Sequence, residues 1–246
     1  MLQNINQLIG HKLAASDGEI GHVRDFYFDD QTWAVRYLVA DTGNWLNGRQ
    51  VLLARHALSR LGADGKNLPV NLTRSQVEGS PAFDSHRPVS RQYEEEYFRY
   101  YGWPVYWIGD GYGGLGGSPG VVPVPKADAQ FHHGHNQRDD RHLRSTLSIN
   151  GYQIQTTDGP IGAVCDYMVD DRSWIIHDLV VEAGHWYAGK KILITTDKIE
   201  RISYEESKVY VKLTKADIQQ TWDNEVAKGI PHPAGTETTR ASVMLK

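Results

Sequence analysis

This chain of 246 residues has little of several features that define common protein classes. It has one cysteine, Cys165, which excludes an intrachain disulfide and a zinc site built on several cysteines. Its 26 basic residues are outnumbered by 30 acidic ones, whereas sequence-independent binding to nucleic acid needs clustered Lys and Arg. No stretch supplies the roughly 20 apolar residues of a membrane-spanning helix, and no signal peptide is visible. We therefore expect a soluble, cytoplasmic protein without a nucleic-acid partner.

The chain does contain an internal duplication. Residues 8–77 align without a gap onto residues 149–218, with 20 identities. The best preserved segments pair Asp17–Asp25 with Asp158–Asp166, Asp29–Trp33 with Asp170–Trp174, and Gly43–Gly48 with Gly184–Gly189. The two copies are therefore expected to share one structural plan.

Each copy has the pattern of short strands joined by tight turns. Asp17-Gly18 is a residue pair favoured in tight hairpins, and apolar, β-branched runs follow it. Thr73 to Gln76 matches a helix capping box, which Thr214 to Asp217 repeats in part. About six short strands in ~70 residues predict a closed or nearly closed barrel, because closure removes exposed edges. The expected fold class is mainly β, with two small β-barrels in tandem and short helices after each barrel and in the linker.

Composition divides the chain into four predicted parts. The linker between the copies is rich in aromatic residues, glycine, proline and histidine, and its segment Ser90–Tyr101 has tyrosines at helical spacing. The parts are a first barrel over 1–80, the linker over 81–144, a second barrel with a C-terminal helix over 145–228, and a flexible tail over 229–246.

These motifs resemble the PRC-barrel family. The residues that carry the resemblance are Asp17-Gly18, Ile20-Gly21, Val23, Asp25, Trp33, Leu38 and Val39, with their second-copy equivalents. The segment Tyr93–Trp107 resembles the connector of bacterial proteins that carry two such barrels. The resemblance implies two PRC-type barrels that bind other macromolecules and perform no chemistry, so we expect a non-enzymatic scaffold with a protein partner and no cofactor.

Two kinds of PRC-barrel protein suggest different roles. The cytoplasmic domain of the photosynthetic reaction centre H subunit implies a place beside a membrane-associated electron-transfer assembly, peripheral to the inner membrane. This sequence lacks the membrane helix of an H subunit. The barrel of a ribosome-maturation factor implies the alternative of an RNA- or ribosome-maturation adaptor. The excess of acidic over basic residues argues against this alternative. A further alternative is an enzyme with a site between the barrels, and a homo-oligomer also stays open.

Two tryptophans are the candidate partner-binding residues. Trp45 and its counterpart Trp186 each lie between two glycines and beside polar residues. Such polar neighbours are unusual for a tryptophan of the core. Large amphipathic rings on loops are common anchors for protein partners. The alternative is that each ring folds back as a lid over the barrel.

A histidine group in the linker is the candidate metal site. His132, His133 and His135 could ligate zinc, copper or nickel through neutral imidazoles. A linker lacks the rigid frame of a structural site, so a solvated segment with adventitious metal affinity is the simpler interpretation.

Two other residue pairs match between the copies. Trp33 and Trp174 follow Asp-Asp turns and begin apolar strands, so we expect both in the core. Asp25 and Asp166 lie within apolar strands, and we expect each to accept backbone hydrogen bonds near a turn rather than to act as a catalytic pair.

Overall fold

The computed structural model describes residues 1–60, 67–81, 83, 91–103, 142–184 and 190–227. As the sequence predicts, it is mainly β, with two sheets and few short helices. The first copy contains β1 (Leu2–Asn4), α1 (Ile5–Leu8), β2 (Lys12–Ala15), β3 (Gly18–Asp29), β4 (Val35–Asp41), β5 (Gln50–Ala54), β6 (Asn67–Pro69) and α2 (Arg74–Glu78). After α3 (Arg91–Tyr101), the second copy contains β7 (Leu143–Ser145), α4 (Thr146–Ile149), β8 (Gln153–Thr156), β9 (Gly159–Asp170), β10 (Ile176–Ala183), β11 (Lys191–Thr195), β12 (Ile199–Ser203), β13 (Lys208–Val211) and α5 (Lys215–Ala227). Single turns of 3₁₀ helix cover Gly43–Leu46, Arg55–Ala57 and Thr196–Lys198.

Each copy contributes most of one sheet. The first sheet has the strand order β5-β4-β3-β2-β6, and the second has the order β11-β10-β9-β8-β13-β12. Consecutive strands pair antiparallel, whereas β2 with β6 and β8 with β13 pair parallel. In the part of the chain that the structure describes, the end strands of neither sheet pair with each other. Closure of the sheets into barrels therefore stays a prediction.

Two compact units divide the chain. One consists of Met1–Glu78 with His142–Lys246, so that both copies belong to it, and the other is Gly79–Arg141. In the second unit the predicted helix is present as α3, where Tyr97 is buried and Tyr101 stacks on Trp103 with ring centroids 4.5 Å apart. The predicted four-part division, which concerns independently folding pieces, stays a prediction.

The two copies exchange their first strands. The 12-residue strands β3 and β9 are longer than the neighbouring strands of their own copy. The end of each pairs with a short strand from the other copy. β1 pairs with the end of β9, so that Leu2 lies opposite Asp170, and β7 pairs in the same way with the end of β3, so that Leu143 lies opposite Asp29. Neither sheet is therefore complete without residues of the other copy.

A reciprocal backbone contact joins the copies at equivalent residues. Ala34 and its counterpart Ile175 form an antiparallel bridge. The amide of Val35 donates to the carbonyl of Trp174 at 2.8 Å, and the amide of Ile176 donates to the carbonyl of Trp33 at the same distance. This pattern is that of a local two-fold relation between the repeats.

The expected core position of Trp33 and Trp174 is confirmed. Their side chains are 9% and 3% exposed, and both backbones are left-handed, with φ of 59° and 55°. The Trp174 ring stacks on Phe26 of the first copy at 5.8 Å, while Phe28 lies 5.9 Å from Tyr167 of the second copy. The two copies therefore share aromatic core packing.

Asp25 fixes the exchanged segment of the second copy. It accepts hydrogen bonds from the Ser145 hydroxyl at 2.5 Å, the Thr146 hydroxyl at 2.8 Å and the Leu147 amide at 3.2 Å, besides the Phe26 amide at 2.7 Å. Three of these four donors come from 120 or more residues away. The expected backbone hydrogen bonds are present, but the larger role of Asp25 is to join the copies.

Asp166 occupies the reciprocal position with fewer donors. It accepts hydrogen bonds from the Asn6 amide at 3.0 Å and the Tyr167 amide at 2.8 Å. Burial raises the pKa of both Asp25 and Asp166, although these hydrogen bonds act in the opposite direction. The two carboxylates thus accept hydrogen bonds from different segments of the opposite repeat, Ser145–Leu147 for Asp25 and Asn6 for Asp166.

The motif residues before these aspartates also have specific structural roles. A Cβ at Gly21 would lie 2.0 Å from the Asp41 carbonyl oxygen, and one at Gly162 would lie 2.1 Å from that of Glu182, so only glycine lets the strands approach this closely. Asp17 accepts a hydrogen bond from the Arg74 amide at 2.7 Å and thereby caps α2. The repeated motif therefore closes each hairpin and anchors the helix that follows it.

Candidate functional site

Trp45 lies in the 3₁₀ turn Gly43–Leu46, between β4 and β5. Its side chain is half-buried, with the exposed residues Gly43 and Asn44 directly before it. The guanidinium of Arg74 lies 4.6 Å from the centre of the indole ring, a cation–π contact. Arg74 itself is positioned at the start of α2 by the bond from its amide to Asp17. The ring is thus held at the surface and forms no part of the buried core.

A shallow depression lies next to this turn. It has a volume of about 420 Å³ and is lined by Ile9, Gly10, His22, Val23, Arg24, Asp41, Gly43 and Leu147. Leu147, from the second copy, is 47% exposed, although its backbone is fixed by the hydrogen bond to Asp25. The strand exchange therefore places an exposed leucine at the edge of a first-copy depression. We call this depression, with Trp45 and Arg74, the Trp45 surface.

The acidic and the basic groups of the Trp45 surface differ in whether they already have a hydrogen-bond or ion-pair partner. Each nearby carboxylate already has a partner: Asp17 accepts from the Arg74 amide, Asp41 from the Gly43 amide at 2.9 Å, and Glu19 pairs with Lys12 at 3.0 Å. In contrast, neither Arg24 nor Arg74 has a carboxylate partner among the residues that the structure describes. Two guanidinium groups are thus available to an incoming ligand.

The second copy differs at the depression. The counterparts of its lining residues Ile9, His22, Arg24 and Leu147 are, by the alignment of the repeats, Asn150, Ala163, Cys165 and Asn6. These four side chains are replaced, whereas the lining residue Val23 and the neighbouring Trp45 have identical counterparts, Val164 and Trp186. Burial raises the pKa of the Cys165 thiol, which disfavours the reactive thiolate. The combination of Ile9, Arg24 and Leu147 at the depression is therefore specific to the first copy.

A second depression, of about 530 Å³, lies on the opposite exchanged strand. It is lined by Leu2, Asp170, His177, Asp178 and Thr195 to Asp197. Backbone amides of Ser173 and Arg172 hold the pKa of Asp170 low, and the Thr195 hydroxyl does the same for Asp197. Acid–base catalysis is favoured by a pair of groups whose pKa values are pushed apart. Asp170 and Asp197 have pKa values shifted in the same direction, so they do not form such a pair.

Several predicted site residues lie outside the described residues. They are Trp186, His132, His133 and His135, so their roles stay predictions. Within the described ranges, no group of three or more His, Cys, Asp or Glu side chains is placed to hold a metal ion. Nor does any helix in those ranges have the length and hydropathy needed to cross a membrane.

Comparisons with known proteins leave the family open. No protein-family model matches the chain, and no curated protein matches it in sequence. The PRC-barrel resemblance therefore stays an inference from the motifs.

Of this surface, the sequence pointed to Trp45 but not to Arg24, Arg74 or Leu147. Arg24 lies within a strand pattern, and Leu147 lies more than 100 residues away from the other lining residues in the chain. These residues come together only in the folded chain, so the sequence carried no local signal for them.

Proposed function

We propose that this protein is a non-enzymatic binding protein of the PRC-barrel type, which holds a protein partner on the Trp45 surface of its first repeat. The observation that carries the proposal is the half-buried Trp45 ring under the Arg74 guanidinium. Tryptophan and arginine are the residue types most enriched among the energetically dominant contacts of protein interfaces. A ring already fixed by its own chain also loses little conformational freedom on binding.

The division between shared and divergent residues supports the same function. Residues retained in both copies hold the strands and repeats together, which gives a rigid frame. Around the depression, Ile9, His22, Arg24 and Leu147 differ between the copies, whereas Gly10, Val23 and Gly43 are retained. Binding residues on a rigid scaffold commonly show this arrangement.

Capture of the partner from an extract of the source cells tests the proposal. Tagged full-length protein, its Trp45→Ala variant and a Tyr204→Ala control would be compared, since Tyr204 is an aromatic residue of the second repeat that is 54% exposed. We expect Trp45→Ala to lose the captured protein and Tyr204→Ala to retain it, while both keep the wild-type thermal unfolding midpoint within about 4 °C. Equal capture by all three proteins would refute a role for Trp45.

A further inference from the structure

The apolar part of the Trp45 surface has room for contact with a single side chain of a partner. Ile9 and Val23 line the depression, and Leu147 adds an exposed side chain from the other repeat. Its accessible apolar surface comes from the exposed Leu147 and the half-buried Ile9, since Val23 is 2% exposed. That surface is enough for one apolar side chain and not for the face of a helix. The partner therefore contributes one apolar anchor at this position.

The charges around the depression indicate which partner residues lie on either side of that apolar side chain. Arg24 is exposed and makes no hydrogen bond or ion pair within the described part of the chain, and the contact of the Arg74 guanidinium there is with the Trp45 ring. The one carboxylate in the lining, Asp41, is already bound by the Gly43 amide. Complementary charge across an interface favours the correct partner and excludes like-charged ones. Carboxylates are the groups that match free guanidiniums.

Both basic groups lie at the same depression. Arg24 lines it, and the Arg74 guanidinium lies over the ring of Trp45, two residues after the lining residue Gly43. A short extended segment therefore reaches both guanidiniums with carboxylates on either side of one apolar residue.

We infer that the partner presents a short extended acidic segment, with one apolar side chain that enters the depression beside Leu147 and carboxylates that meet Arg24 and Arg74. This inference rests on the proposed binding function. Because the second copy has Asn150, Ala163, Cys165 and Asn6 at the matching positions, one chain binds one such segment.

Direct binding of short probes to the full-length chain tests the inference. The probes are fluorescein-labelled, end-blocked heptapeptides: glutamates around a central leucine, glutamates around a central glycine, and lysines around a central leucine. An octamer of uridylate is the fourth probe, because nucleic acid is also anionic. We expect the acidic leucine peptide to bind at a stoichiometry of one, at least tenfold tighter than any other probe, and to weaken as salt is raised.

Matched variants locate the binding. We expect Arg24→Glu and Leu147→Ser each to weaken the acidic leucine peptide at least tenfold. The controls are Arg172→Glu, an exposed arginine of the second repeat, and Leu2→Ser, which is 47% exposed like Leu147 and lies on the reciprocal strand. Both controls should bind like the wild type.

The outcomes separate this inference from the proposed function. Equal binding of the basic peptide, tighter binding of the uridylate octamer, or equal effects of the control variants would overturn the acidic-segment inference. Absence of peptide binding while partner capture still depends on Trp45 would overturn it as well and leave the proposed function in place. Peptide binding that depends on Arg24, with partner capture unchanged in Trp45→Ala, would support the inference and refute the role of Trp45.

Discussion

Replacement of Asp25 should show how strongly the two repeats depend on each other. In Asp25→Ala, the Ser145 and Thr146 hydroxyls can rotate to other acceptors, but the Phe26 and Leu147 amides cannot. Each donor left unsatisfied in a buried site costs about 1–3 kcal/mol, so with two such amides we expect the free energy of unfolding to fall by about 2–6 kcal/mol. That is a large share of the ~5–15 kcal/mol of a typical domain.

Two variants make this prediction specific. Asp166→Ala removes an acceptor with two donors rather than four, so its cost should be the smaller one. Asp25→Asn keeps an acceptor oxygen and the side-chain shape, so it should cost less than Asp25→Ala. Urea denaturation followed by tryptophan fluorescence measures all three changes.

The pH dependence of Asp25→Asn gives a second readout. Because burial raises the pKa of Asp25 above its usual 3.8, folding favours the protonated form. The contribution of this pKa shift to the free energy of unfolding is fully present below pH 3.8 and is lost as pH rises through the raised pKa. The wild type should therefore lose stability relative to Asp25→Asn over that window, since asparagine does not titrate. A difference that is flat with pH, or an Asp25→Ala cost below about 0.5 kcal/mol, would refute the reasoning.

Three further predictions concern the repeated motif, and each is checked by chemical denaturation. Gly21→Ala should destabilise the fold by several kcal/mol, because its Cβ would meet the Asp41 carbonyl at 2.0 Å, whereas Gly43→Ala, which meets no atom within 4 Å, should cost only about 1 kcal/mol for its left-handed backbone. Trp174→Ala should cost about 3–5 kcal/mol, because the ring is 3% exposed and stacks on Phe26; a loss below about 0.5 kcal/mol would place the ring outside the core. Asp17→Ala should cost about 1 kcal/mol through loss of the α2 cap, with Asp197→Ala, whose carboxylate bonds only to neighbouring residues, as a control that changes little.

Local chemistry made much of the fold predictable from the sequence. The Asp17-Gly18 hairpin, the strand breaks at the Asp-Asp pairs and the reciprocal capping bonds between Thr73 and Gln76 depend on residues close in the chain. The helix α3 follows from tyrosine spacing in the same way. Each of these features is determined within a window of about 12 residues, so a single sequence contains the necessary information.

The exchange of strands was not predictable on these grounds. Leu2 and Leu143 begin segments of three residues, too short to be distinguished from loops, and their partners are strands of the other copy. The role of Asp25 at this contact was missed for the same reason, since its donors from Ser145 to Leu147 lie 120 or more residues away. The Trp45 surface depends on the same exchange, because Leu147 reaches it only through that contact.

Cleavage of the linker in the folded protein tests the central claim most directly, namely that the two repeats form one unit completed by exchanged strands. A specific protease site would be inserted after Gly117, and the full-length chain would be cut after purification. We predict that the two fragments stay together as one particle with the mass of the intact chain and unfold in a single transition. In Asp25→Ala the cut fragments should separate at lower urea than in the wild type. Fragments that separate on cleavage and unfold independently would contradict the account.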